Sequence, residues 1–147
     1  MSDRHLCKAK RTDNGEWVEG FYFCMVHDDG RHVHHFIIPL GADLSFGTPI
    51  EKIQVEVDIE TVCQCTGKTD VDKNLIFEHD AISFLDTYST DNGYAEEWCI
   101  GEVVWDEETL SFQVTDRLSA ESYEVLDECK VLGNTIDNPK LLEGGTK

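Results

Sequence analysis

Short runs of aromatic and β-branched residues, cut at close intervals by Asn-Gly, Asp-Gly and proline-containing corners, dominate this chain and leave no room for a long helix. Lys8-Ala9-Lys10-Arg11 is followed by Thr12-Asp13-Asn14-Gly15 and then Glu16-Trp17-Val18-Glu19. Asn and Gly both accept the positive φ of a type I′ turn, so the flanking runs are predicted to pair as a hairpin. Gly20 permits a bend, and residues 21–26 continue as strand material. A second hairpin is predicted around Asp29-Gly30. That register sets His27 opposite His32, Met25 opposite His34 and Phe23 opposite Phe36, with His35 on the other face.

Further along, residues 42–52 read as a loop with little regular structure. Ile53-Gln54-Val55-Glu56-Val57 alternates as a half-buried strand, and Asp58 and Glu60 read as its solvated continuation. Residues 62–82 read as a strand ending at Thr66-Gly67, a polar turn over 70–74, and a corner at Glu78-His79-Asp80 that launches a second β-unit. The acidic, glycine-containing stretch 86–97 is predicted to be an exposed loop. Residues 98–105 and 110–114 form the arms of another hairpin, and Gly101 inside the first arm is a bend or bulge. Residues 118–126 fit either a short helix capped by Ser119 or a strand through Tyr123 and Val125. Residues 129–134 form a last strand. Asn138-Pro139 is an N-cap with proline at the first helical position.

Eight or nine short strands with little helix predict a mainly β fold of antiparallel hairpins, with a small SH3-like barrel in the C-terminal half. The expected organisation is an N-terminal β-hairpin lobe over 1–57, a C-terminal β-barrel lobe over 58–142 and a disordered tail over 143–147.

Charge narrows the partners. Thirty acidic against 12 basic residues give a net charge of −18, a field that repels phosphate backbones and argues against direct nucleic-acid binding. No apolar run reaches the roughly 20 residues of a membrane helix, and no signal-peptide core is present, so a soluble, cytoplasmic protein is expected. The six cysteines, Cys7, Cys24, Cys63, Cys65, Cys99 and Cys129, are scattered and read as reduced thiols. Cys63 and Cys65 share one strand face and read as small buried hydrophobes rather than a metal pair.

No G-x-S-x-G, P-loop or H-E-x-x-H pattern is present, and no catalytic or cofactor-binding residues are assigned. His27, His32 and His34 are candidate metal ligands, because three imidazoles on one strand face suit zinc or copper. The competing reading is polar decoration of an exposed hairpin tip.

Several segments together resemble the YopX-like family, proteins encoded largely by phages and prophages of bacteria. The resemblance runs through residues 8–20, then 58–64 with Thr66-Gly67 and Ile76-Phe77-Glu78-His79-Asp80-Ala81-Ile82, then Gly101-Glu102-Val103-Val104-Trp105-Asp106, and finally residues 131–142. The family usually has an aromatic residue where this chain has Cys65, leucine at Lys68, and glycine at His79. Glycine there implies a positive-φ corner, a region in which His is enriched among other residues. The resemblance implies a mainly β protein of unknown activity with no accepted catalytic residues. Its motif residues here, Thr66, Gly67, Glu78, His79, Asp80, Gly133, Asn134, Asn138 and Pro139, include many turn, corner and cap types, a pattern of folding rather than chemistry.

The function expected on these grounds is a non-catalytic protein-binding or assembly module in a bacterial host cell, engaging itself as a homo-oligomer or a host or phage protein. The alternatives are an acidic decoy that blocks a host DNA-binding protein, and a metal-binding protein built on the hairpin histidines.

Overall fold

A computed structural model of the chain describes residues 5–42, 45, 47–118 and 121–143. The chain divides into two compact units, Met1–Cys65 and Thr66–Lys147. Both are antiparallel β structures, and the mainly β expectation holds.

The first unit contains β1 (Cys7–Lys10), β2 (Trp17–Val26), β3 (Val33–Pro39), β4 (Val55–Glu56) and the start of β5 (Cys63–Thr69), in the sheet order β4-β3-β2-β1-β5. Lys10 pairs with Trp17 across the first turn. Gly15 there takes a φ of 73°, whereas Asn14 is not at positive φ. The Arg11 N–H reaches the Glu16 carbonyl at 2.9 Å, so residues 12–15 form a four-residue loop instead of a two-residue type I′ turn. The second hairpin has the predicted register, with Phe23 opposite Phe36 and Met25 opposite His34. Ala9, Ile37 and Val57 are buried at the centre, with Val18, Tyr22, Val55 and Val62 packed around them. Fully burying a side chain the size of Ile37 contributes about 2 kcal/mol. Gly20 is obligatory: a Cβ there would lie 2.0 Å from the Ile38 carbonyl oxygen. Residues 58–61 are not strand. Ile59–Thr61 is a single 3₁₀ turn, with the Asp58 carboxylate accepting from the Glu60 N–H, a cap that competes successfully with strand extension.

The second unit takes up the end of β5 and adds β6 (Leu75–Phe77), β7 (Asp80–Thr90), β8 (Gly93–Asp106), β9 (Ser111–Val114), α1 (Ser122–Asp127) and β10 (Cys129–Asn134). The strand order β10-β7-β8-β9 makes an open four-stranded sheet, and no closed barrel is found among the described residues. Residues 86–97 are not a loop. They are the ends of the long β7–β8 hairpin, which pairs continuously from Ala81–Glu102 to Thr90–Gly93. β8 changes partner just after Gly101, pairing with β7 up to Glu102 and with β9 from Val103. The register runs through Gly101 without a bulge, and Ile76, Ile82, Phe84, Cys99, Val103 and Val114 form one core with Val125, Leu126 and Cys129.

The ambiguous segment resolves as helix. Its N-cap is Glu121, whose backbone N–H donates to the Glu124 carboxylate at 3.1 Å in a reciprocal capping box. Ser119 lies outside the described residues, as does most of the expected tail. Six residues are too few to hold a helix alone, and burial of Val125 and Leu126 supplies the rest. Pro139–Leu142 is a 3₁₀ turn capped by the Asn138 side chain, which accepts from the Lys140 N–H at 3.2 Å. No helix among the described residues is long and apolar enough to cross a membrane.

Candidate functional site

Three segments of the second unit converge on the corner at residue 79. His79 has a φ of 70°, the conformation glycine would adopt without cost. Its N–H donates to the Val103 carbonyl at 2.7 Å, and its carbonyl accepts from the Thr135 N–H at 2.8 Å. The His79 Nδ1 lies 2.9 Å from Glu102 Oε2, which also accepts from the Thr135 hydroxyl at 2.8 Å. A carboxylate can only accept, so Nδ1 carries the proton. Glu78 stands beside the ring, its carboxylate 3.9 Å from His79 Nε2. Asp80 is buried and holds the approach to the corner, accepting from the Phe77 N–H at 2.8 Å.

The remaining motif residues serve the same joint. Thr66 is buried and donates to the Ile76 carbonyl at 2.9 Å, while Gly67 follows at a φ of 85°. Gly133 sits at the irregular step of β10 against β7, next to the Asn134–Asp80 pair. The Asn134 side chain accepts from the Asp137 N–H at 2.8 Å and turns the chain toward the Asn138-Pro139 cap. Glu78, His79, Asp80, Gly133 and Asn134 therefore meet at one corner, where hydrogen bonds join residue 79 to β8 and to Thr135 just after β10. Substituting glycine for His79 relieves the backbone cost and loses one partly exposed hydrogen bond, so His79→Gly should change stability by no more than about 1 kcal/mol. Valine is β-branched and strongly disfavoured at positive φ, so His79→Val should cost about 2–3 kcal/mol. Urea denaturation of the two variants beside the parent measures both.

The hairpin histidines sit in the first unit. The ring centres of His27 and His34 are 4.8 Å apart, and those of His27 and His32 are 6.0 Å apart. No group of three or more His, Cys, Asp or Glu side chains is already set to hold a metal ion among the described residues. His35 faces away and is engaged with the Tyr22 hydroxyl at 2.6 Å.

Of the six cysteines Cys24 is exposed and Cys7 is partly buried. Cys63 and Cys65 are wholly buried, as are Cys99 and Cys129. Burial pushes the Cys129 thiol up to about 11, helped by nearby Asp70, Asp80 and Asp127.

A cavity of about 330 Å³ beside α1 is lined by Lys68, Phe112, Gln113 and Tyr123, among others. Two of its polar groups are engaged within the chain: Lys68 pairs with Asp127, and Ser122 donates to Gln113 at 2.9 Å.

Large apolar side chains are exposed on the β7–β8 sheet. Strand alternation puts Ile82, Phe84 and Asp86 on the core side and Ser83, Leu85 and Thr87 on the other, opposite Ile100, Trp98 and Glu96. Leu85 and Trp98 are direct cross-strand partners, yet they are 42% and 59% exposed. Tyr94 on the same face is 81% exposed. Reading the stretch as a loop concealed this face. The alternation of Leu85, Thr87 and Ser89 was the available signal.

No curated protein matches the chain. A family model described as YopX protein matches residues 10–143, most of the sequence. The chain belongs to the YopX protein family.

Proposed function

We propose that this protein is a non-catalytic protein-binding module, working in the cytoplasm of a bacterial host as a phage or prophage product. The observation that carries the reading is the Leu85–Trp98 pair, an apolar cross-strand contact left open on a regular sheet face with Tyr94 beyond it. Tryptophan and tyrosine are enriched among residues that anchor protein interfaces, and a flat strand pair presents them without further ordering cost. The partner is a second copy or a host or phage protein with an apolar recess for the indole. A photo-crosslinking residue at position 98 in the full chain, expressed in the host, tests this. A discrete crosslinked species is expected from position 98 and not from the turn position Glu107. Monomeric sedimentation together with no discrete crosslink from position 98 would overturn the reading.

A second reading rests on how the charge is divided. Residues 66–147 hold 19 acidic and 6 basic residues, so they carry −13 of the net −18. An acidic decoy for a DNA-binding protein would use that unit, and its inhibition would fade steeply with salt. Salt-insensitive binding removes this alternative.

A further inference from the structure

The tip of the β2–β3 hairpin gathers three imidazoles that play no part in the reading above. The His27 N–H donates to the His32 carbonyl at 2.9 Å, which fixes the two residues opposite each other across the turn. His34, two residues on, shares their face. Two imidazoles bound to one metal, each with a bond of about 2.1 Å and about 1.1 Å more to the ring centre, place their centres about 4.5–5.2 Å apart for bond angles from square to tetrahedral. The His27–His34 separation of 4.8 Å falls within that window. The His27–His32 separation of 6.0 Å falls outside it, so a third imidazole must move to reach the same ion.

Carboxylates stand behind two of the rings. Glu56 Oε2 lies 2.8 Å from His34 Nδ1, and Asp29 Oδ2 lies 2.5 Å from His32 Nδ1. Because the carboxylates only accept, each Nδ1 carries a proton, and in the neutral ring Nε2 keeps its lone pair. A carboxylate on the far nitrogen is how metal-binding histidines are commonly oriented and made more basic. Asp29 is itself fixed, accepting from the Arg31 and His32 N–H groups at 2.9 and 3.1 Å. The His32 and His34 side chains are 73% and 44% exposed, so an ion can reach them from solvent.

We infer that the β2–β3 hairpin tip binds one divalent transition-metal ion of the zinc, copper and nickel class. His27 and His34 are the primary ligands, His32 completes the protein donors, and Glu56 and Asp29 orient the rings. The donors are nitrogen, so the site discriminates against the hard cations that the acidic surface attracts. This proposal is independent of the sheet face around Trp98.

The test is titration of the full chain with zinc chloride in millimolar magnesium, followed by calorimetry. The Cys24→Ser variant serves as a second background, because Cys24 is an exposed thiol. One zinc per chain is expected in both backgrounds. His27→Ala and His34→Ala should each weaken binding at least tenfold, and Glu56→Gln about tenfold, the scale found for such orienting groups. NMR of the unmutated protein provides a measurement that needs no variant, with zinc-induced shifts centred on the imidazole resonances of His27, His32 and His34. Absence of saturable uptake in magnesium, uptake unchanged in the His27→Ala/His34→Ala double variant, or loss of uptake on Cys24→Ser would each overturn the proposal.

Discussion

Replacing Asp70 with alanine should cost about 3–4 kcal/mol, a large share of the 5–15 kcal/mol that holds a typical domain together. The residue lies in the turn between β5 and β6, a stretch of polar residues that looks expendable. Its carboxylate is nevertheless buried and fully used. One oxygen accepts from the Asp72 and Asn74 N–H groups at 2.9 and 2.8 Å. The other accepts from the Val131 N–H at 2.9 Å, tying the turn to β10, while the adjacent Val71 N–H donates to the Cys129 carbonyl at 3.0 Å. Hydrogen bonds to a charged acceptor contribute about 1.5–3 kcal/mol each, and truncation also leaves backbone donors without partners. Asparagine keeps the acceptor for one pair of donors but presents either an amide N–H to Val131 or the reverse mismatch to the turn, so Asp70→Asn should lose about 2–3 kcal/mol. Urea denaturation at neutral pH measures both, and a loss below 1 kcal/mol for alanine would mean that the turn is not held by this carboxylate.

The same group makes stability depend on pH in a defined direction. Burial alone would raise the Asp70 carboxyl, but donation from Val131, Asn74 and Asp72 outweighs it and holds the group below the ordinary carboxylate range. A carboxyl lowered by folding contributes fully above its unfolded value near 4 and loses that contribution as pH falls through the folded value. The gap in melting temperature between the parent and Asp70→Asn should therefore be widest near neutrality and shrink below about pH 4.

How much of this was legible in the sequence depends on how local the cause is. The Asp29-Gly30 register and the Asn138-Pro139 cap follow from residues within a few positions and were readable, whereas the positive φ at His79 was implied by the glycine that the resembled family usually has there. The long β7–β8 hairpin was missed although its turn, Thr90-Asp91-Asn92-Gly93, repeats the tetrapeptide Thr12-Asp13-Asn14-Gly15 that marked the first hairpin. Acidic composition over 86–97 outweighed the Leu85, Thr87, Ser89 alternation, which is the better guide where strands project from the core. Helix α1 was ambiguous because its cap is glutamate and its stability comes from packing. Asp70 bonding Val131, 61 residues away, has no local signature. The hairpin histidines divide the same way: their shared face follows from the turn, whereas the Glu56 behind His34 comes from a strand 22 residues on.

Gly101→Ala should lower the melting temperature by about 6–12 °C, equivalent to about 3 kcal/mol at 2–4 °C per kcal/mol for a chain of this size. Glycine's backbone freedom plays no part at position 101, where no left-handed φ is involved; the requirement is for space. A Cβ at position 101 would lie 2.1 Å from the Thr115 carbonyl oxygen and 3.0 Å from Val114 Cγ1. The first neighbour is backbone and cannot rotate aside. It is also locked, since the Thr115 N–H donates to the Glu102 carbonyl at 3.0 Å and the Glu102 N–H donates to the Thr115 hydroxyl at 2.9 Å. Accommodating a methyl group means separating β8 from the end of β9 by more than 1 Å, which breaks both bonds and opens the core between Val103 and Val114. His79→Gly is the matched comparison, a glycine exchange at another corner of the same unit that relieves strain instead of creating a clash. If Gly101→Ala melts within 2 °C of the parent, β8 does not approach Thr115 so closely, and the partner switch between Glu102 and Val103 must be made by some other means.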